Sequence, residues 1–377
     1  MDRATFTANL FRGADQRQNF QTMKDIFPTS TMTPSPTPAP FAEGDRITLP
    51  DQHLFEGSAR NSADFLAATD TMALLVLKDG KVVYENYADW GGADRHWMSM
   101  SVAKSFISAT MGIAVDEGLI GSIEEKVTDY RPEFAGSAYD GVRIKDVLQM
   151  SSGAQWNEDY SDPESDIVRF ATVMASGSSF DGFAPTLPRA REPGSFNLYN
   201  STDTQVLGMV LTKAVGRSIT SYMQEKLWHP LGMENPGYWI TDDFGMEMAF
   251  GGLNATARDY AKIGELFRNK GIANGRRIVS EDWVTASVTP DAPHLMPGDT
   301  GLSDSLLGYG YQWWVPEGDE GEYSAIGVYN QFVYVNPTRN VTIVKLSANQ
   351  NYGASNDEKS YREFETFALL KTIAHRT

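Results

Sequence analysis

Two β-hairpin signatures stand near opposite ends of this chain, and the stretch between them reads mostly as helix. MALLVLK (72–78) and KVVYENY (81–87) are rich in β-forming residues and flank Asp79-Gly80, a dipeptide suited to the type I′ turn of a two-residue hairpin. QFVYVNP (331–337) and VTIVKLS (341–347) repeat the pattern around a turn at Pro337 to Asn340. A helix is predicted after them, roughly Lys359 to His375, with Phe364, Phe367, Leu370 and Lys371 at helical spacing. Between the hairpins, SVAKSFISATMGIAVDEG (101–118) is amphipathic and has Gly118 as a natural stop. Helical patterns recur at 144–150, 203–216, 218–228, 257–270 and 280–287.

Strands at both ends and helices inside predict an α/β (α+β) fold. One antiparallel sheet, flanked by helices, is built from both chain ends, and a mainly helical region is inserted into it. The expected division is a sheet domain of 46–100 plus 250–377 and a helical domain of 101–249. Ahead of them, PTSTMTPSPTPAP (28–40) reads as an extended, polyproline-like segment. The first 45 residues are therefore expected to be a peripheral arm, draped over the body or reaching a neighbouring subunit of a homodimer.

Composition narrows the partners. With 49 Asp+Glu against 32 Lys+Arg, the formal charge of −17 would repel a phosphate backbone or an anionic membrane, so neither is expected. The opening MDRATFTANLFRGADQRQNF has no apolar run resembling a signal-peptide core. No stretch approaches the ~20 apolar residues of a membrane helix, and a cytoplasmic location is the default expectation.

The same inventory narrows the chemistry. There is no cysteine, hence no thiol nucleophile, disulfide or Cys-based metal site. The five histidines (His53, His96, His229, His294 and His375) are scattered and form no ligand pair, so no metal is expected. No G-x-S-x-G elbow, H-E-x-x-H, P-loop or dinucleotide fingerprint is present, and no cofactor is expected. What remains is Ser101-Val102-Ala103-Lys104 at the start of the amphipathic stretch. Three positions apart on a helix, Ser101 and Lys104 share a face. The helix start offers free N–H groups to a developing oxyanion. A lysine desolvated among Met98, Met100 and aromatic neighbours loses its proton easily enough to act as a base. The tetrapeptide alone also fits an N-cap serine beside a solvated lysine, and both readings stand at this point.

Longer runs point one way. MSMSVAKSF (98–106), RIKDVLQMSSGAQWNEDYSDP (143–163), FNLYNSTDTQVLG (196–208), FGGLNATARDYAKIGELF (250–267) and GYQWW (310–314) resemble, in order, the serine β-lactamase/penicillin-binding-protein family. The resemblance spans roughly residues 70 to 350. It is strongest to the branch that includes 6-aminohexanoate-dimer (nylon-oligomer) hydrolase and family VIII-type esterases. It implies the β-lactamase/transpeptidase-like fold and a cofactor-independent hydrolase that opens a small ester or amide through an acyl-enzyme.

By that resemblance Ser101 is the acylated nucleophile and Lys104 its base. The relay tyrosine has two candidates. Tyr84 in Tyr84-Glu85-Asn86 reads better as a strand residue, whereas Tyr199 in Tyr199-Asn200-Ser201 sits on a Pro/Gly-approached loop before a helix. Tyr199 is preferred, with Ser201 beside the substrate. The family's third box, usually K-T-G or H-T-G, has no such counterpart here; its place falls to Gly327-Val328-Tyr329-Asn330-Gln331. That implies a strand of Val328 and Tyr329 opposite Ser101, an oxyanion hole from the N–H groups of Ser101 and Val328, and Asn330 at the substrate. Loss of the box's basic residue argues against the alternative of a β-lactamase or D,D-peptidase, whose substrates present a carboxylate. Tyr160, in the run Asn157 to Pro163, is implied to close over the substrate, and Trp313 and Trp314 to wall the acyl pocket. Arg258-Asp259 reads as a structural cap and buried pair. A non-catalytic binding protein on the same fold is the alternative of another class.

Overall fold

A computed structural model of the chain describes residues 2–11 and 15–377. Both hairpins form. Thr71–Lys78 and Lys81–Tyr87 are joined by Asp79 and Gly80 at φ 51° and 75°, the left-handed pair a type I′ turn requires. Gln331–Asn336 and Val341–Ser347 form the second hairpin, and Val341–Ser347 pairs antiparallel with Thr71–Lys78. That pairing joins the two chain ends at the centre of an eight-stranded sheet. Its order is Gly308–Tyr309, Trp314–Val315, Tyr323–Gly327, Gln331–Asn336, Val341–Ser347, Thr71–Lys78, Lys81–Tyr87 and Ala42–Glu43. Only the last pairing is parallel.

Strand alternation assigns each side chain to a face. Phe332, Tyr334 and Ile343 pack with Phe367, Leu370 and Ile373 of the C-terminal helix. Val333, Val335 and Val344 face the opposite way and join the main core with Ile263 and Leu266. That core continues into the helices, where Ala103–Asp116 is buried nearly all round and packs on Ser201–Val215. No helix of the described residues is long and apolar enough to cross a membrane.

The structure departs from expectation in three places. The C-terminal helix is broken, into Glu358–Tyr361 and Glu363–Ala374, at Arg362 with φ 52°. The Glu358 carboxylate takes the N–H groups of Glu363, Phe364 and Glu365 at 3.1, 3.2 and 2.9 Å, so the break is capped, and Phe364 points outward. The N-terminal arm is built into the body. Phe6, Leu10, Phe20, Met23, Phe27 and Met32 are buried in the main core. Thr29–Met32 pairs with Gly237–Ile240 in a second, four-stranded sheet that also holds Leu253–Ala255 and Trp97–Met98. Of these residues only Met32 lies in the Pro/Ser/Thr run; the others precede it among polar residues, and their tertiary partners fix which side they bury. Finally, Asp166–Ser176 is a helix between an N-cap at Ser165 and a left-handed Gly177.

Candidate active site

Ser101 lies where the short strand Trp97–Met98 turns into the helix Ala103–Asp116. The preceding Met100 has φ 47°, an uncommon backbone state for a side chain of that size, and a 3₁₀ turn over Met100–Val102 carries the serine into the helix start. Gly327 ends a sheet strand directly against this turn. A Cβ there would lie 2.7 Å from Ser99 O and 3.0 Å from Ser101 N, so only glycine permits the approach. Tyr329 and Asn330, at φ 64° and 67°, then reverse the chain into the last hairpin.

Lys104 is 2% exposed. Its ammonium donates to Ser101 Oγ at 2.7 Å, Ser201 Oγ at 3.0 Å and Phe250 O at 3.1 Å, which uses all three of its hydrogens. The rings of Tyr199 and Phe250 lie 5.0 and 5.3 Å away. Loss of solvation pulls its pKa down from 10.5 to about 7, against the opposing pull of the nearby Glu158 charge. At neutral pH a substantial share of Lys104 is therefore a free amine beside a serine hydroxyl. Tyr199 stacks on Trp314 at 5.0 Å and meets Tyr309 edge-on at 6.3 Å. Burial pushes its phenol well above the usual range, while a hydrogen bond with Ser101 acts the other way.

Glu158 binds this centre together, and nothing in its polar loop sequence distinguishes it from a solvated glutamate. Its carboxylate accepts from Ser201 N at 3.0 Å, Ser201 Oγ at 2.6 Å, Tyr160 OH at 3.0 Å and the Trp156 indole N–H. Lys104, Ser201 and Glu158 thus form one continuous chain of hydrogen bonds. Beneath it, Asn200 caps the Ser201–Val215 helix. The buried Asp203 accepts from Tyr139, Ser152 and Asn200, which fixes the Tyr199-Asn200-Ser201 turn.

The structure brings Ser101, Lys104, Tyr199, Ser201, Tyr160 and Val328 to one cleft. Tyr84 lies elsewhere, on Lys81–Tyr87. Two expected substrate contacts fall outside it. Trp313 is fully buried against Phe267 at 4.5 Å and Tyr323 at 5.4 Å, whereas its neighbour Trp314 lines the cleft. Successive strand residues point to opposite faces, and a Trp-Trp pair does not reveal which comes first. Asn330 is turned inward, with Nδ2 donating to Tyr361 O at 2.8 Å and Oδ1 accepting from Asn349 at 2.7 Å, so it braces the C-terminal segment. The Tyr329 ring packs one layer back, between Phe11 and Tyr352. Arg258 forms a bidentate pair with Glu85 at 2.8 and 2.6 Å, and Asp259 caps the backbone at Glu234.

The cleft has two unlike sides that meet at Ser101. One is an apolar pocket walled by the Asp166–Ser176 helix and by Met98, Met100, Met248 and Phe250. The other is more polar and carries Glu158, Asp159, Asp304 and Glu363. No arginine, and no lysine other than Lys104, borders either side among the described residues. Chemically this is a serine with its own buried base, a phenol within hydrogen-bonding reach, and separate room for the two halves of a substrate.

Residues 59–367 match the family described as Beta-lactamase. The chain is 33% identical over 293 residues to a 6-aminohexanoate-dimer hydrolase of Paenarthrobacter ureafaciens, covering 75% of this chain and 74% of that one. Its fold is similar to a structure described as a putative 6-aminohexanoate-dimer hydrolase from Bacillus anthracis, with a TM-score of 0.86, 24% identity and 97% and 95% of the two chains covered. A family VIII carboxylesterase shares the fold at a TM-score of 0.62, with 15% identity and 84% and 95% covered.

Proposed function

The chain belongs to the beta-lactamase family of hydrolases, and on that premise we propose that it cleaves an ester or amide through an acyl-enzyme on Ser101. The observation that carries this reading is the 2.7 Å contact from a lysine 2% exposed to the serine oxygen. Neutral Lys104 takes the Ser101 proton as Oγ attacks the substrate carbonyl carbon. The charge that develops on the carbonyl oxygen falls to the backbone N–H groups of Ser101, at the helix start, and of Val328, which follows the close-packed Gly327. The proton passes by Tyr199 to the departing alcohol or amine, whose bond to the acyl carbon breaks. Water then attacks the acyl-serine by the reverse proton route, releasing the acid and restoring Ser101.

Glu158 and Asp159 on the polar side favour an uncharged or cationic leaving group over one bearing a carboxylate, so nitrocefin turnover should fall far below ester turnover. To test the nucleophile, a fluorophosphonate is reacted with the protein and the adduct located by peptide mass mapping, beside p-nitrophenyl ester hydrolysis. The adduct is expected on the peptide holding Ser101; an adduct elsewhere, or none in an active enzyme, would refute the assignment.

Glu158 gives a second, independent test. Its charge favours the protonated lysine, so Glu158→Gln should lower the Lys104 pKa further. The acid limb of kcat/KM, expected near 7 in the parent enzyme, then moves to lower pH, and Glu158→Asp moves it back toward the parent. A limb that stays put or rises in the glutamine variant would remove Glu158 from this role.

A further inference from the structure

The apolar side of the cleft is unusually free of charge for a chain of net charge −17. Of its described lining residues, only Ser101 and Tyr160 have a polar side chain, and none is ionic. Met98, Met100, Phe170, Met174, Met248 and Phe250 are among its large apolar wall residues. An ammonium or carboxylate placed there would lose its hydration and gain no partner. A hydrocarbon chain would instead gain about fourfold in kcat/KM for each methylene it buries.

What ends this pocket is the N-terminal segment. The helix Arg3–Leu10 packs on Asp166–Ser176, anchored by buried Phe6 and Leu10 and by an ion pair from Arg3 to Asp243 at 2.9 Å. Phe11, at the end of that helix, stacks face to face on Tyr329, with centroids 5.5 Å apart and planes within 5°. Beyond it lies a second, more polar space. Phe11, Tyr160, Val168 and Ala171 border both spaces. Val168 and Ala171 are fixed on a helix and small, so the aromatic rings of Phe11 and Tyr160 form the partition.

We propose that the acyl half of the substrate is an uncharged hydrocarbon chain and that Phe11, supplied from some 90 residues before the nucleophile, sets the longest chain accepted. This rests on Ser101 being the acylated residue. Phe11 is a specificity-determining residue: it touches the far end of the acyl chain and not the reacting atoms.

The test measures kcat/KM for p-nitrophenyl esters of straight-chain acids from two to twelve carbons, with Phe11→Ala, Phe11→Leu and Phe11→Trp beside the parent. In the parent, kcat/KM climbs with chain length to a break and then falls. Phe11→Ala opens the partition and moves the break to longer chains, raising the ratio of the dodecanoate to the butyrate ester about tenfold or more. Phe11→Trp moves the break to shorter chains. Phe11→Leu, which keeps an apolar body, shows a smaller shift toward longer chains and decides the matter if the alanine variant fails to fold. A break unmoved in folded, active variants overturns the role of Phe11 and leaves the serine mechanism intact. Equal turnover of the hexanoate and 6-aminohexanoate esters by the parent overturns the uncharged chain. A parent enzyme inert toward every ester and unlabelled at Ser101 overturns both this proposal and the reading beneath it.

Discussion

Replacing Ser101 with alanine should lower kcat/KM for a p-nitrophenyl ester by about 10⁴-fold or more, with little change in thermal stability. In the proposed mechanism the hydroxyl supplies both the attacking oxygen and the proton that Lys104 accepts across 2.7 Å. No water placed by the remaining groups reproduces the covalent route, and only the binding contacts and oxyanion donors survive. Lys104→Met should cost a comparable factor, since an unactivated hydroxyl at neutral pH is a weak nucleophile. The double variant should be no worse than the poorer single one, because the two side chains act as one unit. Steady-state kinetics on the three proteins decides the point. More than about 1% of parent activity in Ser101→Ala would refute the nucleophile.

The second large effect is on stability, and it carries a definite sign. Burial lowers the Lys104 pKa from 10.5 to about 7, so between those values the unfolded chain binds a proton that the folded chain does not. The cost of burying the charge is fully present below about pH 7 and fades as the pH rises toward 10.5. Relative to Lys104→Met, which has no proton to lose and nearly the same volume, the parent should therefore gain about 3 kcal/mol between pH 6 and pH 9.5. The three acceptors left at Ser101, Ser201 and Phe250 add a constant offset that does not depend on the lysine's titration. Urea melts of both proteins across this range measure the difference. A gap that stays flat with pH would mean that Lys104 keeps its ordinary pKa, and the mechanism would lose its base. On the proposed mechanism, the protein holds a destabilising residue where the chemistry needs one.

Much of this architecture was legible before any coordinates. Asp79-Gly80 between two β-rich runs defines a hairpin locally, because the turn chemistry and the strand propensities lie within a few residues of each other. Ser101 and Lys104 are equally local: three positions on one helix bring them together whatever surrounds them. Tyr199 was legible through its loop context and through the resemblance. Less could be read where the deciding contact is distant. Glu158 is one of many loop glutamates until Ser201, Tyr160 and Trp156 converge on it. The choice between Trp313 and Trp314 needs the phase of a strand, which its neighbours set. Asn330 resembled a substrate contact until the C-terminal segment supplied its partners.

The sequence by itself determined the local devices: two hairpins, a serine and a lysine on one helical face, and a tyrosine at the start of another helix. Tertiary structure alone decided whether those devices are chemically alive. A lysine three residues after a serine has an ordinary pKa on a solvated helix and a pKa of about 7 here, because the difference is the hydration removed by Phe250, Tyr199 and the core around them. Desolvation is set by everything packed about a group and by no single residue, so it becomes visible only once the chain has folded.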